Sequence, residues 1–271
     1  MEIGAALAQL ELSASDPQAI AAFYASTFKL ETVAQAEGFV CSAPGRQLVF
    51  RPGEGGQLKR VSFKFHELAS FDVHRAALKG RGVEFAEDAH DRYAVSDPLG
   101  HLVTFAAPGA SVGALASSAA DARLQHLALR TPDPAGLAEF YVERLGFLVS
   151  DRVLDAEGDL TAIFMRTDSE HHAMALFRAP MVRFDHFSCE VASWSDLRDW
   201  ADHMARVGVD LAWGIGRHGP GNDTFLMVRD MDGNMGEISS ELEVCSPGRP
   251  AGVWPHRPQT LNRWGVAIMR S

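Results

Sequence analysis

Two histidines and one glutamate in the second half of the sequence are of the types that bind a divalent ion, and each sits in a short stretch of alternating apolar character. His126 lies in Leu124-Gln125-His126-Leu127-Ala128-Leu129, and His186 in Arg183-Phe184-Asp185-His186-Phe187-Ser188. Glu237 opens Glu237-Ile238-Ser239, just after the turn from Asp230 to Gly233. Successive side chains of a strand point to opposite faces, so alternation can set all three on one concave surface with their apolar neighbours behind. Two histidines and one carboxylate on one side of an ion leave coordination positions open for substrate and dioxygen, an arrangement that suits iron or manganese. Taken singly, each residue has a blander explanation. A lone strand histidine is more often a hydrogen-bonded core residue, and a glutamate beside an apolar strand ordinarily faces water, as Glu241 and Glu243 are expected to do.

An internal repeat supplies the elements that must position these residues, and a control for them. Residues 9–24 superpose without gaps on 126–141, matching Leu10 with Leu127, Leu12 with Leu129, Asp16 with Asp133, Pro17 with Pro134, Ala21 with Ala138, Phe23 with Phe140 and Tyr24 with Tyr141. Each copy reads as a strand, then an Asp N-cap with Pro at the first helical position, then an amphipathic helix. The second of these helices is expected to run to Leu145 and stop at Gly146. Further on, Val61-Ser62-Phe63 matches Phe187-Ser188-Cys189, Gly82-Val83 matches Gly208-Val209, and Asp97-Pro98-Leu99-Gly100 matches Asp230-Met231-Asp232-Gly233. Helical spacing fills 71–79 and 197–206 between them. Each half is therefore a tandem of two strand-helix-strand units. At the positions of His126, His186 and Glu237 the first half carries Gln9, Arg60 and Thr104, so the same scaffold occurs once with a ligand set and once without.

Length and composition fit this division. With 271 residues and 46% apolar content the chain can bury a large core or two ordinary ones. The expected domains are 1–112, without metal ligands, and 120–243, with them, followed by a tail over 244–271 that packs on the second. The Ala/Ser/Gly-rich run 109–120 is the expected linker. A formal charge of -10, from 25 Lys+Arg against 35 Asp+Glu, repels nucleic-acid phosphate and anionic membranes, so neither is an expected partner. Met1-Glu2-Ile3-Gly4 has no basic n-region and the apolar stretch soon meets Gln9 and Glu11, which gives a soluble, cytoplasmic protein as the expectation. Cys41, Cys189 and Cys245 are far apart with no C-x-x-C spacing, consistent with a reducing compartment and against a thiolate zinc site.

His126, His186, the segment Gly216-Arg217-His218-Gly219-Pro220-Gly221-Asn222-Asp223 and the segment Asp230-Met231-Asp232-Gly233-Asn234-Met235-Gly236-Glu237 together resemble the type I extradiol ring-cleavage dioxygenases of the vicinal oxygen chelate superfamily. The resemblance spans both halves and is densest from His126 to Glu243. It implies an α+β fold of two vicinal-oxygen-chelate domains, each made of paired βαβββ modules forming a curved, barrel-like sheet. It also implies Fe(II), or in some members Mn(II), held by His126, His186 and Glu237, with dioxygen as cosubstrate and a small catechol-type aromatic diol as substrate. Members commonly form homo-oligomers and serve in aromatic hydrocarbon catabolism. The resemblance further implies that His172 handles protons during dioxygen activation, that His218 hydrogen-bonds the substrate's phenolic oxygen, and that Asp223 supports it from behind.

His171 competes with His172 for that role, since alternation in a strand would let one of the two face the pocket. Trp213, Phe184, Phe187, Met227, Trp254 and His256 are candidates for the pocket wall. The chain departs from the family pattern at Met227, where members usually carry a Tyr whose hydroxyl a thioether cannot replace, and at Met231, where they carry Pro. Because the same fold hosts other chemistry, two alternatives stand beside ring cleavage. One is a non-oxidative metal-dependent isomerase or lyase, and the other a non-catalytic protein that binds an aromatic ligand.

Overall fold

The alternating segment around Gln9 forms β1 (Ala5–Ala14), after which the Asp16 carboxylate accepts a hydrogen bond from the Ala19 amide at 3.0 Å and starts α1 (Pro17–Thr27) with Pro at its first turn. Asp133 does the same for its helix, accepting from the Gly136 amide at 2.8 Å. The computed structural model describes residues 2–113 and 121–269, so residues 114–120 of the expected linker lie outside the described residues.

After α1 come β2 (Glu31–Gln35), β3 (Gly38–Ala43) and β4 (Arg46–Pro52), then β5 (Gln57–Phe65), α2 (Leu68–Gly80), β6 (Ala86–Ala89), β7 (Arg92–Ser96) and β8 (Leu102–Ala106). They make one eight-stranded sheet in the order β2-β3-β4-β1-β5-β8-β7-β6. The sheet is two βαβββ units joined by the antiparallel β1–β5 pair, with β1–β4 and β5–β8 parallel. The second half repeats the plan with β9 (Arg123–Thr131), α3 (Pro134–Glu139), β10 (Leu148–Leu154), β11 (Leu160–Arg166) and β12 (Met174–Arg178). Its second unit is β13 (Arg183–Glu190), α4 (Trp194–Arg206), β14 (Trp213–Arg217), β15 (Thr224–Arg229) and β16 (Met235–Ser240), joined to the first by β9–β13. After α3 the helix continues as one π-helical stretch, Phe140–Arg144, and ends at Gly146, whose φ of 83° is a left-handed conformation that suits glycine.

The architecture is thus the expected α+β pair of curved sheets. The tail does more than pack on a surface. Its β17 (Gly252–Pro255) pairs parallel with β10 and becomes the ninth strand of the second sheet, followed by the short α5 (Pro258–Leu261). Among the described residues no helix is long and apolar enough to cross a membrane.

The largest buried apolar cluster runs through both halves, while a smaller one around Phe164, Trp213, Phe225 and Met227 belongs to the second sheet alone. Aromatic contacts join the halves, with Phe187 against Tyr24 and Phe28 at ring separations of 5.3 and 5.0 Å, and Phe147 against Phe63 at 5.3 Å. Two polar bonds cross the same boundary in opposite directions. Tyr24 donates to Asp230 Oδ2 at 3.0 Å, and its repeat partner Tyr141 donates to Asp97 Oδ2, also at 3.0 Å. Each half therefore anchors the other's Asp turn with the tyrosine of its first helix, a reciprocal contact that follows from duplication about a pseudo-twofold axis.

His74 on α2 makes a third crossing. Its Nε2–H donates to the Leu145 carbonyl at 2.7 Å, which leaves Nδ1 to accept from the Tyr93 hydroxyl at 2.7 Å. Burial pushes its pKa down to about 4; the Leu145 carbonyl opposes this only in part, and Arg81 adds to it. The folded chain thus binds this proton more weakly than the unfolded one. The resulting stabilisation is full above the ordinary histidine pKa and is lost as pH falls toward 4. Between pH 7 and pH 5, wild type should lose roughly 2 kcal/mol more unfolding free energy than His74→Gln, measured from urea transitions at each pH. Equal pH slopes for the two proteins would show that His74 carries no such linkage.

Candidate metal centre

β13 lies between β9 and β16, and its register sets His126, Ser188 and Glu237 side by side in one cross-strand row that Met227 on β15 extends. Ser188 is small, so the longer side chains on either side can lean toward each other above it. His186, two residues earlier on β13, shares that face. A register slip at Asp185 is what isolates the histidine from its upstream neighbours. Phe184 pairs with Leu129 and His186 with Ala128, so the bulge reverses the alternation between them. Phe184 and Phe187 consequently both enter the apolar core, and the expectation that they wall the pocket is corrected on this ground.

The two imidazoles are oriented by their own sequence neighbours. His186 Nδ1 lies 2.6 Å from Asp185 Oδ1, and Arg130 Nε holds the other oxygen of that carboxylate at 2.5 Å. His126 Nδ1 lies 2.5 Å from Gln125 Oε1, while the amide of Gln125 donates to the His172 carbonyl at 2.7 Å. Because both Nδ1 positions face acceptors they carry the protons, and the bare Nε2 atoms meet 3.2 Å apart. Glu237 Oε1 is 3.6 Å from His126 Nε2, and the candidate donor atoms of His126, His186 and Glu237 all lie within 4.8 Å of one another.

All three side chains are buried, and neither oxygen of Glu237 has a hydrogen-bond partner among the described residues. Burial alone would favour the protonated acid, but His218, His126 and His186 outweigh it and hold the carboxyl down to about 2. Burial also presses His126 down to about 3, against the pull of Glu237. At neutral pH Glu237 is therefore an ionised carboxylate and His126 a neutral imidazole, the forms in which these groups bind metal. A buried anion with no hydrogen bond facing two converging lone pairs is costly unless a cation joins them. On that test the residues fit a divalent ion.

His218, just after β14, donates Nδ1–H to the Leu261 carbonyl at 2.6 Å and turns Nε2 toward Glu237 Oε2 at 3.7 Å. Its ring lies flat on Phe225, 3.9 Å between centres at an angle of 4°. Burial lowers its proton affinity, but Asp223, Glu237 and the Leu261 carbonyl outweigh it and raise the pKa above the usual histidine value. Asp223 is itself fully buried, which lifts its pKa to about 7; His218 pulls it down and Glu237 pushes it up. It does not line the cavity, and candidate donor atoms of Asp223, His218 and Glu237 all lie within 4.8 Å of one another.

The cavity over these groups is lined by His126, His172, His186 and His218 and walled by Phe164, Phe177, Trp213, Met227 and Leu261, with Ala175, Pro220 and Thr260 between. His172 lines it and His171 does not. The reason differs from the one expected, because both residues sit on a bend before β12 and strand alternation has no hold there. Trp213 and Met227 wall the pocket as expected. Trp254 instead donates to Asp151 at 2.6 Å, and His256 borders a neighbouring hollow.

Sequence reasoning missed Phe164 and Phe177, which no spacing rule singles out, and the orienting pair Asp185 and Gln125. Those two carried a readable signal, since each directly precedes a candidate ligand. Thr260 and Leu261 carried none, because only the pairing of β17 with β10 brings α5 over the cavity.

In the first sheet the equivalent row reads Gln9, Ser62 and Thr104, with Arg60 two residues before Ser62 on β5. Arg60 donates to Thr104 Oγ1 at 3.2 Å and Gln9 bonds Gln47. Among the described residues, the groups able to hold an ion lie in the second half.

Comparison with known proteins agrees with this picture. Residues 123–238 match the model of the Glyoxalase/Bleomycin resistance protein/Dioxygenase superfamily. The chain is 30% identical over 246 residues to metapyrocatechase 2 of Cupriavidus necator, an alignment covering 81% of this chain and 75% of that protein. Its fold is similar to that of a Mn(II)-bound glyoxalase from Novosphingobium aromaticivorans, with a TM-score of 0.80 and 24% identity over 100% of this chain and 93% of that one. It is also similar to homoprotocatechuate 2,3-dioxygenase from Arthrobacter globiformis, with a TM-score of 0.77 and 23% identity over 99% and 90% of the two chains. The reciprocal βαβββ sheets, the buried two-histidine, one-glutamate cluster and the extent of the metapyrocatechase match together establish that this protein belongs to the glyoxalase/bleomycin resistance protein/dioxygenase superfamily, with type I extradiol enzymes among its relatives.

Proposed function

We propose that the chain is an extradiol dioxygenase that opens the ring of a catechol-type diol with dioxygen at a mononuclear Fe(II), Mn(II) having the same donor preferences. The observation that carries the reading is the buried, unbonded Glu237 carboxylate facing two oriented imidazoles in a cavity that two further histidines line. His126, His186 and Glu237 would hold the ion. When bound, it acts as the electron conduit between an aromatic diol and dioxygen, chemistry that no side chain provides.

The protein's own residues bind and orient the diol and move its protons. The aromatic and aliphatic walls suit a flat ring and exclude water around it. His218, fixed by the Leu261 carbonyl, presents Nε2 as the hydrogen-bond partner of a substrate oxygen, and Asp223 sets its charge from behind. His172, neutral because burial pushes its pKa well down, would accept a hydroxyl proton and return it to the opening ring. Met227 takes the place of a hydroxyl donor with a thioether, which leaves the two histidines as the polar groups for substrate oxygens. Since none of the lining residues among those described is Lys or Arg, the favoured diols lack a carboxylate. Ring opening inserts both oxygen atoms beside the diol and yields a hydroxymuconic semialdehyde type of product.

The glyoxalase-like fold keeps a second reading in play, a metal-dependent isomerase that uses the same three ligands. Fe(II)-loaded protein purified without oxygen should consume dioxygen with catechol and alkyl- or arylcatechols, giving yellow products. Carboxylated catechols should turn over at least about tenfold more slowly, a difference of ~1.4 kcal/mol in the barrier. Metal-dependent turnover without oxygen uptake would select the isomerase, and no reaction across the panel would sink both enzymatic readings.

Glu237→Ala should weaken divalent-ion binding on the order of 100-fold and abolish the rise in melting temperature that added Fe(II) or Mn(II) produces. A variant that kept both its metal content and that rise would remove Glu237 from the ligand set. An aromatic ligand bound equally well by this variant and by wild type would instead point to a sequestering protein.

A further inference from the structure

We infer that Glu237 bridges two cation positions, one shared with His126 and His186 and a second, weaker one for a divalent ion shared with His218 and Asp223. The two oxygens of this carboxylate face different imidazoles. Oε1 lies 3.6 Å from His126 Nε2, and Oε2 lies 3.7 Å from His218 Nε2. Neither oxygen has a hydrogen-bond partner among the described residues. A first-row divalent ion holds nitrogen and oxygen ligands at about 2.0–2.2 Å, which puts two ligand atoms of one ion roughly 3 to 4.4 Å apart. Both separations fall in that range.

The second position is built in the manner of the first. His218 donates Nδ1–H to the Leu261 carbonyl at 2.6 Å, which leaves Nε2 as its ligand atom, and its ring is held flat against Phe225. Asp223 comes from the far end of the same turn between β14 and β15. The His218 amide donates to the Asp223 carbonyl at 2.9 Å, so the turn closes with these two residues side by side. Asp223 is fully buried, and neither of its carboxyl oxygens has a hydrogen-bond partner among the described residues. Candidate donor atoms of His218, Asp223 and Glu237 meet the same limit of 4.8 Å as those of the first trio.

A carboxyl group kept only to orient His218 would be expected to reach a donor, and one kept only for packing would be replaced by an apolar residue at lower cost. Asp223 does neither. One imidazole and two carboxylates suit a first-row divalent ion such as Mn(II), and an ion among them would supply the partner that both buried carboxyl groups lack. Two ions on one carboxylate repel each other, so the second position fills only when cation is in excess. This inference concerns cation binding and holds whatever reaction the cavity runs. One consequence alone rests on the ring-cleavage reading, which uses only the first ion. A cation on His218 Nε2 takes the atom offered there to a substrate oxygen, so excess cation competes with the diol.

The test is a Mn(II) titration of the full chain, first stripped by chelator and followed by electron paramagnetic resonance without substrate. Wild type should take up two ions per chain, the second at least about tenfold more weakly because of that repulsion. As the second fills, the spectrum of isolated Mn(II) should give way to that of a coupled pair, since ions sharing a carboxylate lie on the order of 3.5–4 Å apart. Asp223→Asn and His218→Gln, each checked for fold by circular dichroism, should keep the first ion, lose the second and show no coupling. A second ion retained by either folded variant would place it elsewhere and overturn the assignment. Wild type alone can also overturn it, by binding a single ion up to millimolar Mn(II) or by binding a second that does not couple to the first. Because no readout requires turnover, failure here and failure of the ring-cleavage reading are distinct results.

Discussion

An ionised carboxylate held out of water with no hydrogen bond of its own is the constraint on which the rest of this structure turns. Glu237 is fully buried, neighbours two imidazole nitrogens whose protons have been drawn to their far sides, and is kept anionic with His218 as the leading cause. A fold does not retain such a group for stability, because an apolar residue at that place would cost less. The three strands that carry the cluster pair in a register that brings the donor atoms together, and Ser188 between them is small enough to let them meet. The geometry is that of a cation site whose protein part is assembled in advance.

Around this cluster runs a second layer whose task is orientation. Asp185 and Arg130 hold His186, Gln125 holds His126, and Leu261 holds His218. In each case an acceptor receives the N–H of one ring nitrogen and thereby decides what the other presents. Three histidines of one cavity are set by three different partners, two of them immediate sequence neighbours and one reached only through tertiary structure. The tail belongs to this layer. By adding an edge strand it brings Leu261 over the cavity and Trp254 onto Asp151.

The first half of the molecule contributes rigidity. Its equivalent row of Gln9, Ser62 and Thr104 has no donor set for an ion, but its sheet shares one apolar core with the catalytic candidate. The reciprocal bonds of Tyr24 to Asp230 and Tyr141 to Asp97 fasten the turn that precedes each last strand. One of those turns leads directly into Glu237. Duplication thus left a partner that braces the site from behind, and the ancestral symmetry is still visible in which residues cross.

What the sequence determined by itself is what local rules and repetition can carry. Alternation, Asp-Pro helix starts and gapless internal matching gave the strand-helix-strand tandem, and the absence of ligands at Gln9, Arg60 and Thr104 marked the second half as the site. The resemblance of the Gly-Arg-His and Asp-Gly segments then supplied the βαβββ plan and the expected roles of His172 and His218. Tertiary structure alone decided the rest. The bulge at Asp185 sent Phe184 into the core, because a one-residue slip reverses every side chain beyond it and no sequence period records where a slip falls. The bend at His171 and His172 replaced strand alternation by a carboxylate contact from Asp151, about twenty residues earlier, and the tail entered the sheet through backbone pairing that carries no side-chain signature. Contacts between distant segments depend on which edges meet, and that is a property of the folded whole.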